Sequence, residues 1–308
     1  MKKTIKNITI ILISTCLVLF FIELSLRLVG LGNPIIYEKN LLFGYQPKSN
    51  QKVKRFNNSM ITINNENFRI NNLDSKGEKK IYFFGDSVTY GGSYIDDKNI
   101  FSSKTCALLN KETIKFSCLN AGVNAYGLEN ILSRYNYVFN KDKNSNYIIL
   151  LIPGSFKRNF IQINSLPYFT NNISNNYFRA SLELIMYALD RFRNNIRFKK
   201  VDYKGNSLSL EFKEKILSDL ILLKDAQIKN KKLRILISLS NPKNQDNYRE
   251  SLENFILLKS KKINLDLINI QSKINDHKNI FHDVIHLNEN GHHQYAKILS
   301  NLINTYEK

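Results

Sequence analysis

Cysteine is scarce, three among 308 residues. That excludes a disulfide-framework mini-protein and a Cys-rich zinc scaffold, both of which need many closely spaced thiols. Acidic residues are also few, 26 against 45 Lys and Arg, which leaves a formal charge of +19. A basic surface attracts phosphate, but a nucleic-acid footprint needs clustering and a recognition motif, and no such motif is present. The excess is read as compositional drift in a chain saturated with Lys, Asn and Ile, and nucleic acid is not an expected partner. No repeat of fixed period occurs, which sets aside solenoids and propellers. With 43% hydrophobic and 23% charged residues the chain is not disordered, and its length is ample for a buried core.

The N-terminus carries the first strong signal. Lys2, Lys3 and Lys6 precede an uncharged apolar run over 8–22, which continues past Glu23 and Arg27 to Leu31. A helix over 8–31, rising about 1.5 Å per residue, crosses a hydrocarbon core of about 30 Å. Three lysines before the segment and only Arg27 soon after it place the N-terminus in the cytoplasm and the remainder outside. A cleaved signal peptide is the rival, but no small-x-small site follows the run. Cys16, followed by Leu17 to Phe21, reads as a residue of the helix. Glu23 and Arg27, four apart, share a helical face and can pair near the membrane surface. The expectation is a single-pass, uncleaved anchor in the cytoplasmic membrane.

Residues 1–31 are thus expected to form a stub and anchor, 32–78 a polar stalk with a short hairpin around 60–63 and 68–70, and 79–308 one domain. From Lys80 strands alternate with helices. Strands are expected at 81–84, 114–119, 147–152, 233–239 and 265–270, and helices at 100–110, 128–139, 208–228, 248–258 and 290–304. The run 147–152 is almost wholly apolar, as in a strand buried on both faces. An insertion at about 159–206 holds an amphipathic stretch near 178–198. The pattern predicts a parallel α/β sheet whose site lies at the carboxyl ends of the strands. Cys106 and Cys118 fall on a predicted helix and the strand after it. A disulfide is open to them, though sequence does not give its geometry; two buried free thiols are the favoured expectation, because free cysteine behaves as a small core hydrophobe.

The first core strand runs into Gly85-Asp86-Ser87 and a Gly-rich loop. Glycine permits a tight turn, and a serine at the strand end is placed for nucleophilic attack, its own N–H beside the oxyanion that forms. Alone, the match is weak, since a strand-end turn has the same residues. Near the other end, Asp283 stands three residues before His286, ahead of the last helix, which Asn288 or a neighbour is expected to cap. A carboxylate so placed can accept from one imidazole nitrogen and leave the other to take the serine proton. All five histidines lie between His277 and His293, so a zinc site of His282, Asp283, His286 and His292 competes. Their loop placement and the absence of an H-E-x-x-H sequence argue against a metal.

On these residues the chain resembles the SGNH (GDSL-type) hydrolases. Gly85-Asp86-Ser87 matches the first block, with Ser87 as nucleophile. Asn120-Ala121-Gly122 matches the second, in which Gly122 would offer its N–H to the oxyanion. Asp283-Val284-Ile285-His286, followed by Leu-Asn-x-x-Gly, matches the last. The lead-in from Ile63 to Arg69 looks like that of membrane-anchored bacterial members. The resemblance spans about 61–302 and implies a three-layer α/β/α sandwich with a central parallel sheet, flavodoxin-like, and ester hydrolysis without a cofactor. The third block, Gly-x-Asn-Asp, is missing. Aligned on Gly154, it puts Phe156 where an oxyanion-donating Asn belongs. Ser155 or Asn124 is the candidate substitute, or the hole is simply weakened. Lys157 and Arg158 either bind an anionic substrate or are solvated loop charge.

The leading expectation is a membrane-anchored serine esterase acting on acyl, chiefly O-acetyl, esters of cell-envelope glycans or on a small ester. Two alternatives share the scaffold: an O-acyltransferase using the same triad, and a non-catalytic glycan-binding or assembly protein.

Overall fold

The computed structural model describes residues 2–71, 77–110, 115–163, 169–170, 176–198, 208–244, 246–274 and 279–307. The chain opens with helix α1 (Lys2–Leu28), of which Thr4–Leu28 is long and apolar enough to cross a membrane. Its Glu23 and Arg27 pair as their spacing predicts, with Arg27 Nε 2.8 Å from Glu23 Oε1.

Two antiparallel hairpins follow, β1 (Tyr37–Asn40) with β2 (Gly44–Pro47) and β3 (Gln51–Lys54) with β4 (Met60–Ile63). The main sheet is built of β5 (Lys79–Gly85), β6 (Phe116–Asn120), β7 (Asn146–Leu151), β8 (Leu233–Ile237) and β9 (Leu267–Asn269). All neighbours are parallel, in the order β6-β5-β7-β8-β9. Counted from β5 this is the doubly wound order 2-1-3-4-5, with its crevice at the carboxyl end of the first strand.

Period-2 alternation along each strand divides the core. Tyr82, Phe84, Tyr147, Ile149, Leu151, Ile235 and Ile237 face one layer, while Ile81, Phe83, Ile148, Leu150 and Leu236 face the other. The first face is covered by α4 (Leu128–Lys141), α7 (Leu210–Lys229) and α8 (Asn247–Lys262), the second by α3 (Phe101–Leu109) and α9 (Glu289–Glu307). This is the expected three-layer α/β/α arrangement, with helices on both faces of a parallel sheet. Short polar side chains start the helices where the sequence has them. Ser209 Oγ accepts from Phe212 N–H at 3.2 Å, and Asp246 Oδ1 from Arg249 N–H at 2.8 Å.

The segment read as a stalk packs onto the domain. Ile35, Tyr37, Phe43, Tyr45, Val53, Ile61, Ile63 and Phe68 are buried in the same cluster as Tyr82 and Phe84. The hairpin β3–β4 reaches the sheet through Arg69, whose backbone bridges both Ile63 and Asn120 at the end of β6. A short α2 (Ser87–Tyr90) follows β5, α5 (Pro153–Lys157) follows β7, and α6 (Arg179–Phe198) occupies the amphipathic part of the insertion.

One expectation is corrected. Cys106 and Cys118 are not free thiols but a disulfide, with their Cα atoms 5.8 Å apart. Cys106 lies on α3 and Cys118 on β6, and both face the layer between them, within the bridging range. The sequence placed both residues correctly but held no information on that separation. Alkylation of the denatured chain without reductant is expected to modify Cys16 alone, and all three cysteines after reduction. Three adducts without reductant would refute the bridge.

Candidate active site

At the end of β5 the chain turns sharply into α2. A side chain on Gly85 would stand 2.1 Å from Thr89 Oγ1 and 2.4 Å from Leu150 O, so only glycine permits this approach of turn and neighbouring strand. Asp86 is fully buried. It caps α2, Oδ1 accepting from Val88 N–H at 3.0 Å. Its other oxygen accepts from Arg158 Nη1, also at 3.0 Å. Ser87 is the first residue of α2, where a backbone N–H has no intrahelical acceptor.

The loop ahead of α9 brings the other two groups. His286 Nε2 lies 2.8 Å from Ser87 Oγ, across a sequence separation of 199, and His286 Nδ1 lies 2.7 Å from Asp283 Oδ2. Asp283 Oδ1 accepts from the N–H groups of Ile285 and His286 at 2.9 and 2.8 Å. Burial pushes the Asp283 carboxyl up, but these backbone bonds and the His286 ring outweigh it and hold it below its ordinary value. An ionised carboxylate only accepts, so Nδ1 carries the proton in the neutral imidazole, Nε2 is left as acceptor, and Ser87 donates to it. The loop itself is pinned. Asn241 N–H donates to Val284 O at 2.7 Å, His282 N–H to His286 O at 2.7 Å, and Tyr94 Oη–H to Leu287 O at 3.1 Å. Asn288 caps α9 as expected, its Oδ1 accepting from Gly291 N–H at 2.9 Å.

The remaining candidates fall in different places. Gly122 packs on the back of α2, where a side chain would meet Tyr90 N at 2.4 Å, and its N–H donates to Asn120 Oδ1 at 2.9 Å. The donor expected at the oxyanion is thus engaged within the resting site. Ser155 is fully buried and takes Ile152 N–H at 3.2 Å, capping α5, while Phe156 is a core residue. The side chain of Asn124 donates to Tyr37 Oη at 3.3 Å. Arg158 holds Asp86 and donates to Tyr126 O at 3.0 Å, so its first partner is the turn beneath Ser87. Lys157 lies over Tyr248, its ammonium 4.1 Å from the ring centre.

The histidines separate too. His282 stacks on Tyr94 with ring centres 4.3 Å apart, and buried His292 accepts from Phe101 N–H at 3.1 Å. Among the described residues no three metal-ligating side chains gather, and His277 lies outside them.

Arg69 and Asn120 entered the sequence reading only as members of matched segments, with no role of their own, yet both hold the nucleophile's loop. Arg69 Nη1 donates to Tyr90 O at 2.9 Å and Gly92 O at 2.7 Å, Nη2 donates to Ile95 O at 2.5 Å, and Nε pairs with Asp97 at 2.8 Å. Asn120 Nδ2 donates to Thr89 O at 2.7 Å. Phe68-Arg69-Ile70 reads as ordinary strand alternation with the arginine facing solvent, so the pattern held no signal of its burial.

No protein-family model and no curated protein matches the chain. Among solved structures it is similar to a psychrotrophic esterase from Pseudoalteromonas sp., at 12% identity and a TM-score of 0.42, over 74% of this chain and 98% of that one. It is similar to a lipase/acylhydrolase from Enterococcus faecalis, at 14% identity and a TM-score of 0.43, over 74% and 96%. An acetylxylan esterase from Geobacillus stearothermophilus aligns at 14% identity and a TM-score of 0.39, over 74% and 95%.

Burial first, then the charges of Arg69 and Lys104, push the His292 imidazole down from 6.5 to about 3. Its folded value lies below its unfolded one, so the unfolded chain binds a proton that the folded chain refuses. Stability is therefore lost as pH falls from 6.5 towards about 3. The urea midpoint is expected to drop across that window, and to drop less steeply in His292→Asn, which keeps an acceptor for Phe101. Equal slopes would contradict this assignment.

Proposed function

We propose that the chain is a membrane-anchored SGNH-type serine esterase that removes acyl groups, O-acetyl above all, from glycans of the cell envelope. The observation that carries this reading is the continuous hydrogen-bonded line from Ser87 through His286 to Asp283. Such a line polarises a hydroxyl that is otherwise a poor nucleophile.

The chemistry then runs in two halves. Ser87 Oγ attacks the ester carbonyl as its proton passes to His286 Nε2, and the negative charge moves onto the carbonyl oxygen. Asp283 stabilises the resulting imidazolium without taking its proton. The Ser87 N–H, first of α2, is the oxyanion donor at hand. Gly122 joins it only by sharing or releasing its bond to Asn120 Oδ1. Collapse breaks the ester C–O bond, and the departing alcohol oxygen takes the proton from Nε2. Water then gives a proton to Nε2 and attacks the acyl-enzyme, and the proton returns to Ser87 as the acid leaves. No step calls for a metal or cofactor.

Several features support the envelope as the setting. Lysines stand at the start of α1, ahead of its apolar run, and few follow that run at once, which suits a domain facing outwards. The Cys106–Cys118 disulfide suits an oxidising compartment. The Asp283 side chain is 47% exposed, so the triad lies open, as a bulky glycan requires.

A second reading, a glycan-binding protein on a decayed scaffold, is favoured by the core position of Phe156 and the engaged Gly122 N–H. The detergent-solubilised full chain is expected to release acetate from O-acetylated glycan, and Ser87→Ala to lower the rate by at least about 10³-fold. Retention of glycan by both proteins with no acetate released supports the binding reading instead. Acetyl transfer to an added sugar, without free acetate, marks the transferase.

A further inference from the structure

Glu23 is the one carboxylate of α1, at the end of its uncharged run, and the structure gives it partners outside that helix. Its two oxygens accept from Ala180 N–H and Ser181 N–H, both at 2.9 Å, and from Ser181 Oγ at 2.8 Å. Glu23 thereby caps the first turn of α6. The clamp is extended by Arg27 Nη2, which donates to Tyr177 O at 2.5 Å, and by Glu183, which accepts from Gly32 N–H at 2.6 Å and pairs with buried Arg55. Glu23 stands five residues before the end of α1, about 7.5 Å along a helix axis. The start of α6 is therefore level with the last part of the apolar span, not above it.

Beyond that first turn α6 has one face against the clamp, where Ala180 and Glu183 are buried. Another face stays bare. Ile185, Leu189 and Phe192, at the helical spacing i, i+4, i+7, are 54, 51 and 65% exposed. The second half of α6 is basic in sequence, with Arg191, Arg193 and Arg197 against Asp190. An apolar stripe on a basic helix suits a surface of anionic lipid.

We propose that α6 is an interfacial helix: its Ile185–Leu189–Phe192 face lies in the lipid at the membrane surface beside α1, and fixes the height of the α/β domain over the bilayer. A flexible tether would leave the domain free to tumble. Two attachments, α1 through the membrane and α6 along it, do not. The proposal rests on the reading of α1 as a membrane span, and concerns the membrane rather than the reaction.

The test uses the full chain with Cys16→Ser, so that the disulfide is the only cysteine background. Spin labels are placed singly at Ile185→Cys, Leu189→Cys and Phe192→Cys, with Phe20→Cys in α1 and exposed Asp225→Cys in α7 as controls. The protein is reconstituted in vesicles of mixed phosphatidylcholine and phosphatidylglycerol. Collisions with oxygen, which partitions into lipid, are compared with those of a water-soluble nickel chelate. The three α6 labels are expected to show an oxygen-to-nickel ratio several-fold above that of Asp225→Cys, approaching that of Phe20→Cys. Free nickel access at all three, with Phe20→Cys protected, overturns the α6 proposal alone. Protection from both reagents means a protein partner covers the face, and also overturns it. Nickel access at Phe20→Cys removes the anchor reading, and the proposal with it.

Discussion

The guanidinium of Arg69, with no exposed side-chain surface, sits where three parts of the chain meet. Its backbone pairs with Asn120 at the end of β6, and its side chain gathers the carbonyls of Tyr90, Gly92 and Ile95 and the carboxylate of Asp97. A buried cation is tolerated only when its donors are met, and here four of the groups it binds belong to the loop that follows Ser87. The lead-in hairpin, the edge of the sheet and the nucleophile's loop are thus fixed by one side chain. On the opposite flank Arg158 does similar work, tying buried Asp86 to Tyr126 O. Ser87 is held from both sides, and the loop of His286 has a rigid partner to meet.

Most of the fold was legible because its signals are local. The apolar run of β7, the strand-end glycine at Gly85 and the helical spacings of α4 and α9 are written in short windows. The approach of Ser87, His286 and Asp283 to one another was legible for another reason. The three residues stand in two short segments whose order and context are recognisable, although 199 residues separate Ser87 from His286. What failed to show depends on distance in space. The Cys106–Cys118 bridge, the packing of Ile35 to Phe68 onto the sheet and the role of Arg69 are all set by tertiary approach. Ser155 misled because a short hydroxyl near a strand end reads the same whether it faces a substrate or caps α5.

The charge of +19 acquires a narrower meaning. Three of its lysines, Lys2, Lys3 and Lys6, stand ahead of the uncharged apolar run of α1. Several of its arginines are spent inside the fold, Arg55 on Glu183, Arg69 on Asp97 and Arg158 on Asp86. The same Glu23 that interrupts the apolar pattern of α1 is the group that joins α1 to the first turn of α6.

Esterase chemistry at this site requires Ser87 to be an activated nucleophile. The direct measurement is reaction of the full chain with a fluorophosphonate, followed by peptide mass mapping. One phosphonyl adduct is expected, on Ser87, and it should be lost in His286→Ala although that variant keeps its disulfide and its cooperative unfolding. No adduct, or an adduct that persists at the same rate in His286→Ala, would contradict the triad.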